Sequence, residues 1–521
     1  MVLCYSNPML GKRALVRATA GMALVTVASR LCGLLRDKVL AAVLGPSGIG
    51  DAYTVGFRAP NLFRQLFAEG ALQATFVPTL ASLQKEANER EARRFVGAML
   101  STLLVLLAVV VAAGMLGAEP FAFALAPAYR EQPEKFALTV HFTRSFFPYL
   151  TFVSLAAFLQ GVLNVRGRFL LAAGTPIAFS LALSAAVLFA HWRKLPLPPW
   201  VVTGVLVGGF LQFFLLWGHC FRLGLPVFPG KGAFTDPHVR QVLRKAVPLL
   251  FSAGIYPLTV FLSTNLASRA GEGAVFCLYV ASRLNELVYG VVVVQLFTAL
   301  LPTLAASRDQ GETLGFALRF QSLVVFPSMF FLMALPRPVI GLLFGGGKFA
   351  PWAVDLASAM LVFLALGMPA LALSKLAAGS FYARHDTREP VIAAVLSLGS
   401  FALFGTLFLP HLQGPGVALA LAASQYVGSL WLWWRVTRRG WLKDGTLWAR
   451  VGRHGLAGGI MGLALGGLAR AVPVPPVTSW ATGAFVGGCG MVGLGLYLAL
   501  LWLFRSPEIR EVQQALWGGR R

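Results

Sequence analysis

The chain has 521 residues, of which 57% are hydrophobic and 12% are charged. Soluble domains carry about 25% charged residues, so the composition excludes a soluble multidomain enzyme as well as a disordered chain. The 44 Lys and Arg against 20 Asp and Glu give a net charge of +24, which needs an explanation in so apolar a chain.

Fourteen apolar runs are long enough to span a bilayer, and the connections between them are too short for a soluble catalytic domain. The runs are 14–35, 53–83, 96–118, 138–164, 169–191, 199–221, 243–268, 274–306, 314–335, 352–383, 389–410, 415–437, 451–472 and 479–504. The second run is long enough to bend, and Pro60 is its candidate bend point. The sequence therefore predicts an all-α polytopic membrane protein with about fourteen transmembrane helices.

Alternate loops differ in their content of Lys and Arg. The rich set includes Lys85, Arg90, Arg93 and Arg94 in one loop and Arg435, Arg438 and Arg439 in another, whereas the opposite set is poor in both residue types. Because basic loops stay on the cytoplasmic side, both termini are predicted to be cytoplasmic. Most of the positive charge thus encodes orientation, and a nucleic-acid partner is not needed to explain it.

Two short segments recur along the chain. Residues 78–82 are echoed at 302–307, and the loop 164–168 is echoed at 382–388. The echoes favour a duplication of six helices, which gives two pseudo-symmetric lobes of the same orientation with a cargo cavity between them. The expected divisions are an N-lobe over 1–225, a C-lobe over 226–445, and two appended helices with a tail over 446–521.

Several charged residues lie within or at the ends of apolar runs: Arg30, Arg36, Asp37, Arg64, Glu69, Arg283 and Glu286. A charge at the centre of a bilayer costs about 2.5–3.5 kcal/mol, so these side chains should face a cavity or one another. Arg30, Gly33 and Asp37 share a helix face, and Arg283 and Glu286 are spaced to pair. A single arginine of this kind could equally reach the membrane surface or pair internally. Four arginines, on the early helices of both halves, instead predict a cationic cavity for an anion such as a phosphate.

Two other classes of function remain open on the residues alone. A drug or cation antiporter would need a net acidic cavity, whereas the buried charges here are mainly basic. A polytopic glycosyltransferase would need carboxylates or a metal on the outer face, where the loop 119–137 offers Glu119, Glu131 and Glu134. The five cysteines stand singly without C-x-x-C spacing, so the sequence indicates neither a zinc site nor a disulfide framework. No cofactor is expected.

The segments 29–37, 51–53, 60–71 and 76–78 closely resemble the signature of the MurJ (MviN) family, and similar motifs recur at 147–149, 163–164, 281–284 and 381–386. These proteins are lipid II flippases of bacterial cell-wall synthesis. They lie within the multidrug/oligosaccharidyl-lipid/polysaccharide exporter superfamily. The resemblance covers essentially the whole chain.

The resemblance implies transport of lipid II, an undecaprenyl pyrophosphate that carries a disaccharide-pentapeptide, across the bacterial inner membrane by alternating access. It implies substrate-binding residues at Ser29, Arg30, Arg36, Arg64 and Arg283. It also implies ion-pairing or gating acids at Asp37, Asp51 and Glu69. Glu286 is predicted as a fourth such acid, because it stands three residues after Arg283 on a helix. The two last helices would form a groove for the lipid tail. The alternative is a cation-coupled drug exporter, or an exporter of another lipid-linked oligosaccharide, from the same superfamily.

At two places the sequence departs from the family pattern, so the roles of the family's residues there cannot be assigned to this chain. The residue before the eighth-helix arginine is Ser282, where relatives often have Asp. The sodium site of some relatives needs acids and amides on the eleventh helix, which here offers Ser397, Ser400 and Thr406. The expected partners are lipid II, membrane lipids and the cell-wall synthesis machinery, and the expected state is a monomer that performs no catalysis.

Overall fold

The structure, a computed structural model, is helical over nearly all the residues that it describes, which confirms the all-α prediction. It describes residues 12–65, 71–85, 89–168, 170–225, 227–253, 255–287, 290, 310–384, 386–442, 445–472 and 480–508. The chain divides into two compact units, Met1–Ser268 and Arg269–Arg521, called unit 1 and unit 2 below.

Unit 1 consists of ten described helices and a short 3-10 helix at Pro127–Glu131. The helices are α1 (Lys12–Val43), α2 (Gly48–Arg64), α3 (Ala71–Lys85), α4 (Glu89–Leu116), α5 (Ala118–Leu125), α6 (Pro133–Val165), α7 (Leu170–Trp192), α8 (Leu197–Arg222), α9 (Pro237–Ala253) and α10 (Ile255–Ser268). The described helices α2 and α3 both lie largely within the second apolar run. Pro60 lies inside α2, which continues to Arg64, and the bend expected at this residue stays a prediction.

Aromatic side chains fill the core of unit 1 where α2 crosses α6. Tyr53 and Phe57 stack with their ring centroids 5.9 Å apart, and the ring of Phe146 stands edge-on to both. A Cβ added at Gly56 would lie only 2.7 Å from the Cβ of Phe142, so glycine is what lets the two helices approach. This packing fixes α2, the helix that carries much of the site described below.

The described helices of unit 2 begin with α11, which covers 274–287. They continue with α12 (Gln310–Ala334), α13 (Pro336–Phe344), α14 (Pro351–Leu366), α15 (Met368–Tyr382), α16 (Arg388–Arg438), α17 (Leu447–Ala471) and α18 (Trp480–Leu503). On its tightest face α17 meets α12, where Cβ atoms added at Gly458 and Gly462 would lie 2.8 and 3.0 Å from Phe330.

The helix α16 reverses direction near its middle. Gln413 has φ 49° and ψ −127°, which no helix contains. Glu389 in the first turn accepts hydrogen bonds from Arg435 and Arg439 at the far end, so the two halves run antiparallel. The halves match the eleventh and twelfth apolar runs, which were predicted to be separate helices.

Eight helical segments among the described residues are long and apolar enough to cross a membrane. One of them is α16, whose 51 residues suffice for two crossings. The total of fourteen spans and the cytoplasmic position of both termini stay predictions.

Candidate functional site

Arg36, near the end of the motif at 29–37 on α1, is held in place by two neighbours. Arg36 donates from Nε and Nη2 to Oδ1 of Asp37, at 3.0 and 2.7 Å. Its guanidinium carbon lies 5.5 Å from the ring centroid of Phe179 on α7. Asp37 is buried, so the pair is shielded from water and its attraction is stronger than that of a surface pair. Arg36 is therefore oriented before any ligand arrives.

Two turns earlier, α1 presents Ser29 and Arg30, and both side chains are half-buried. Among the described residues, neither makes a hydrogen bond or an ion pair. A Cβ added at Gly33, on the same face as Arg30, would meet nothing within 4 Å. The face predicted to meet an anion thus has open space beside an arginine that no described side chain neutralises.

On α2, Arg64 donates from Nε to Oδ1 of Asn61 at 2.6 Å. The predicted gating acid Glu69 lies outside the described residues. Arg58 stands in the same apolar run but is not among the charged residues predicted to face a cavity. Its Nη1 donates to Oγ1 of Thr264 on α10, and this contact fixes α10 against α2. The position of Arg58 in an apolar run is the signal that could have identified it from the sequence.

The acid at the start of α2 forms the most deeply buried ion pair among the described residues of unit 1. Oδ2 of Asp51 lies 2.7 Å from Nζ of Lys135 on α6, and the two side chains are 0% and 6% exposed. The ammonium also sits 4.0 Å from the ring centroid of Tyr129. Burial, followed by the charge of Asp51, raises the pKa of the Tyr129 hydroxyl well above its usual range. Lys135 is not among the charged residues predicted above, because it precedes the fourth apolar run, 138–164.

In unit 2 the predicted pair on α11 is present. Nη1 of Arg283 lies 3.1 Å from Oε2 of Glu286, and the guanidinium carbon is 5.0 Å from the ring centroid of Tyr279. Both charged side chains are more than a third exposed, so the pair stabilises the helix little and could exchange partners at small cost.

The structure therefore brings together Arg36 with Asp37 and Arg283 with Glu286. The arginines on α1 and α2 belong to unit 1 and Arg283 belongs to unit 2, so their convergence on one cavity stays a prediction. Within the described ranges, no group of three His, Cys, Asp or Glu is arranged to hold a metal ion.

The hydroxyls of the first half of α16 are engaged by their own helix. Ser400 donates to the carbonyl of Ser397 at 3.0 Å, and Thr406 donates to the carbonyl of Leu403 at 2.8 Å. Ser400 and Thr406 are two of the three residues that the sequence offered for a sodium site, and Ser397 is the third.

The loop between α15 and α16 contains the motif 381–386, and it is tied to the end of α16. Nη1 of Arg439 donates to Asp386 at 2.8 Å, while Arg384 stacks over Trp441 at 3.7 Å. Burial raises the pKa of Asp386, but the bonds from Arg439 and from the backbone of Arg388 outweigh it and leave the pKa below its usual value. The motif thus clamps the two helix ends on the side predicted to be cytoplasmic.

Comparison with known proteins identifies relatives over nearly the full length. The sequence model of the family described as "Lipid II flippase MurJ" matches residues 40–483. A probable lipid II flippase MurJ of Rhizobium meliloti (strain 1021) is 34% identical over 466 residues, covering 87% of this chain and 86% of that protein. The lipid II flippase MurJ of Burkholderia cenocepacia is 32% identical over 509 residues, covering 94% and 97%.

Solved structures share the fold. A lipid II flippase MurJ in an inward closed conformation matches with a TM-score of 0.79 at 22% identity, covering 94% of this chain and 99% of that one. An inward-facing multidrug resistance transporter of the MATE family, in the MOP superfamily, matches with a TM-score of 0.62 at 15% identity, covering 81% and 99%. At these identities the likeness concerns the fold alone.

Proposed function

The chain belongs to the lipid II flippase MurJ family, and on that premise we propose that it carries lipid II from the inner to the outer leaflet of the bacterial inner membrane. A flippase is a transporter and not an enzyme, because no bond of its cargo changes. The observation that carries the proposal for this chain is the set of arginines on apolar helices, above all Arg30, which no described residue neutralises.

The pyrophosphate would be bound by Arg30, Arg36, Arg64 and Arg283. A guanidinium offers a planar fork of donors that matches phosphate oxygens, and it keeps its charge when it is buried. Arg36 is pre-oriented by Asp37, which reduces the ordering cost of binding. Ser29 stands one residue before Arg30 and would add a hydroxyl donor.

Alternating access would move this site from one side of the membrane to the other, by rocking one six-helix lobe against its counterpart. The lobes would be 1–225 and 226–445, with α17 and α18 providing a groove for the lipid tail. Asp37, Glu69 and Glu286 would exchange partners as the cavity closes and opens. Asp51 would act as a fixed point, because its buried pair with Lys135 is costly to break.

The proposed setting is a monomer in the inner membrane, working beside the enzymes that make and consume lipid II. Attraction of anionic lipids to the basic loops would be a secondary effect of their charge.

The alternative function is a cation-coupled drug exporter, or an exporter of another lipid-linked oligosaccharide, of the same superfamily. A cation site needs free carboxylates. Both described acids of the α1 and α11 motifs are ion-paired with the arginine beside them, Asp37 with Arg36 and Glu286 with Arg283. This pairing favours an anionic cargo over a cationic one, and it does not distinguish lipid II from other pyrophosphate-linked glycolipids.

Binding measured on the purified chain tests the arginine site. Arg30→Ala and Arg283→Ala should each weaken lipid II binding about tenfold, the effect expected for one charge-assisted hydrogen bond. Arg30→Lys, which keeps the charge and loses the fork, should fall between wild type and Arg30→Ala. The matched control is Arg193→Ala, an exposed arginine in a loop on the side predicted to be external.

A second ligand separates the pyrophosphate from the tail. Undecaprenol lacks phosphate, so its binding should be the same in the wild type and in Arg30→Ala. Wild-type affinity for lipid II in both alanine variants would contradict the arginine site, whereas failure of the wild type itself to bind lipid II would contradict the function.

A further inference from the structure

A buried polar cluster lies at the end of the last membrane helix, among residues that the transport mechanism does not use. After α18 ends at Leu503, the chain turns back sharply instead of continuing into solvent. The amide of Ser506 bonds to the carbonyl of Leu501 at 3.0 Å, and Arg505 has φ 51°. This is the Schellman pattern, in which the left-handed position is normally occupied by glycine. The chain accepts the strain of a left-handed arginine, and the turn buries Ser506 and Glu508.

The returning segment meets a fully buried histidine. Nε2 of His454 on α17 lies 3.3 Å from Oγ of Ser506 and 3.6 Å from Oε2 of Glu508. Its other nitrogen, Nδ1, lies 2.7 Å from Oγ of Ser322 on α12. Ser506 in turn donates to Oε2 of Glu508. One imidazole therefore joins three separate parts of unit 2: α12, α17 and the segment that follows α18.

The same cluster contains a charged pair. Nε of Arg319 on α12 lies 3.9 Å from Oε1 of Glu508, and their side chains are 13% and 3% exposed. Burial alone would raise the pKa of Glu508, but the nearby imidazole of His454 and the hydrogen bond from Ser506 lower it to about 2, so the carboxylate is charged at neutral pH. A buried carboxylate strongly destabilises a protein once its partners are removed. The segment is therefore held in place by electrostatics as well as by packing.

The buried side chains of α18 lie along one face of the helix, at Thr482, Cys489, Tyr497 and Leu501. A Cβ added at Gly493 would lie 2.8 Å from Leu465 on α17, but one added at Gly487, Gly488 or Gly495 would meet nothing within 4 Å. Trp502, near the end of the helix, is 76% exposed. Close packing thus holds one face of α18 as far as Leu501, and the polar cluster adds the contacts that hold the chain beyond it.

We propose that Ser506 and Glu508 form a tail latch, received by His454, Ser322 and Arg319, which fixes the end of α18 against α12 and α17. By doing so the tail latch would set the spacing of α17 and α18, the two helices that border the lipid-tail groove. This role rests on the proposed function. The five residues touch no cargo in this scheme, so they are positioning residues, and their effect should be confined to the part of the ligand that the groove binds.

The spacing of the helices can be measured directly. Spin labels at positions 456 and 502, both exposed, would be placed in the full chain with its five native cysteines replaced. Glu508→Ala should shift and broaden the distance distribution, Ser506→Ala should do so less, and Glu508→Asp should stay near wild type. The control is Arg453→Gln, which removes an exposed charge beside His454. Wild-type distributions in both Glu508→Ala and Ser506→Ala would overturn the latch, and Ser506→Ala keeps the test decisive if Glu508→Ala does not fold.

Binding then links the latch to the groove. Glu508→Ala should weaken binding of lipid II that carries the full undecaprenyl tail about fivefold, roughly the value of one buried hydrogen bond, and Ser506→Ala should follow in the same direction. Binding of an analogue with a short prenyl tail should change less than twofold. An equal loss for both ligands, or no loss for either, would overturn the positioning role. If the wild type bound neither ligand, the proposed function would fail instead, whatever the spin labels showed.

Discussion

At the scale of single residues, the clearest prediction concerns the pair between Asp51 and Lys135. Lys135→Met leaves a fully buried carboxylate without its cation, so it should lower the free energy of unfolding by about 3–5 kcal/mol. Thermal or denaturant unfolding of the purified chain in detergent measures this loss.

The double variant Asp51→Asn with Lys135→Met should recover much of that stability, because it removes both charges. The matched control is Arg337→Met, which breaks the pair with Asp355 whose side chains are 60% and 54% exposed, and which should cost less than about 1 kcal/mol. Equal losses in the buried and the exposed pair would contradict this reading of Asp51.

The ion pairs also show which contacts could be predicted from the sequence and which could not. The spacing of Arg283 and Glu286 predicted their pair, because three residues on a helix bring two side chains together. The pairs of Asp51 with Lys135 and of Glu508 with His454 join segments that are far apart in the chain. No local sequence pattern predicts such partners, because only the packing of whole helices brings them together.

At the scale of the helices, the reversal within α16 is the most specific feature. Gln413 occupies a conformation with positive φ that glycine adopts far more readily than other residues. Gln413→Gly should therefore raise the free energy of unfolding by about 1 kcal/mol, and Gln413→Val should lower it.

The control for this prediction is His411→Gly, two residues earlier in helical conformation, which should lower stability by roughly 0.5–1 kcal/mol. The free energy of unfolding, measured for the three variants and the wild type, tests whether Gln413 is strained. If glycine destabilised both positions alike, Gln413 would not be strained.

Apolar runs predicted most of the helices well, because bilayer thickness sets a length that a run of side chains must match. What they missed are the interruptions. The tenth run, 352–383, contains two helices, α14 and α15, that meet at Gly367. The short helices α5 and α13 are apolar, but they are too short to span a bilayer and so were not predicted. These breaks depend on turn geometry and on contacts between helices, and the hydropathy of a segment predicts neither.

At the scale of the whole molecule, the family and the helical class follow from the sequence, and the structure adds the state of each charged group. From the sequence alone, the four arginines in the apolar runs could not be told apart. The structure separates Arg36, held by Asp37 and Phe179, from Arg30, which has no partner among the described residues. On this basis Arg30→Ala should impair transport with little change in stability, whereas Arg36→Ala should impair both.

The most direct test of lipid II transport is depletion of this chain in cells that depend on it, with lipid II on the outer surface as the readout. Depletion should lower surface lipid II while the precursor accumulates inside. The wild-type chain should restore exposure, and Arg30→Ala or Arg283→Ala at equal abundance should not. Unchanged surface lipid II in fully depleted cells would contradict the assignment of this chain as the carrier.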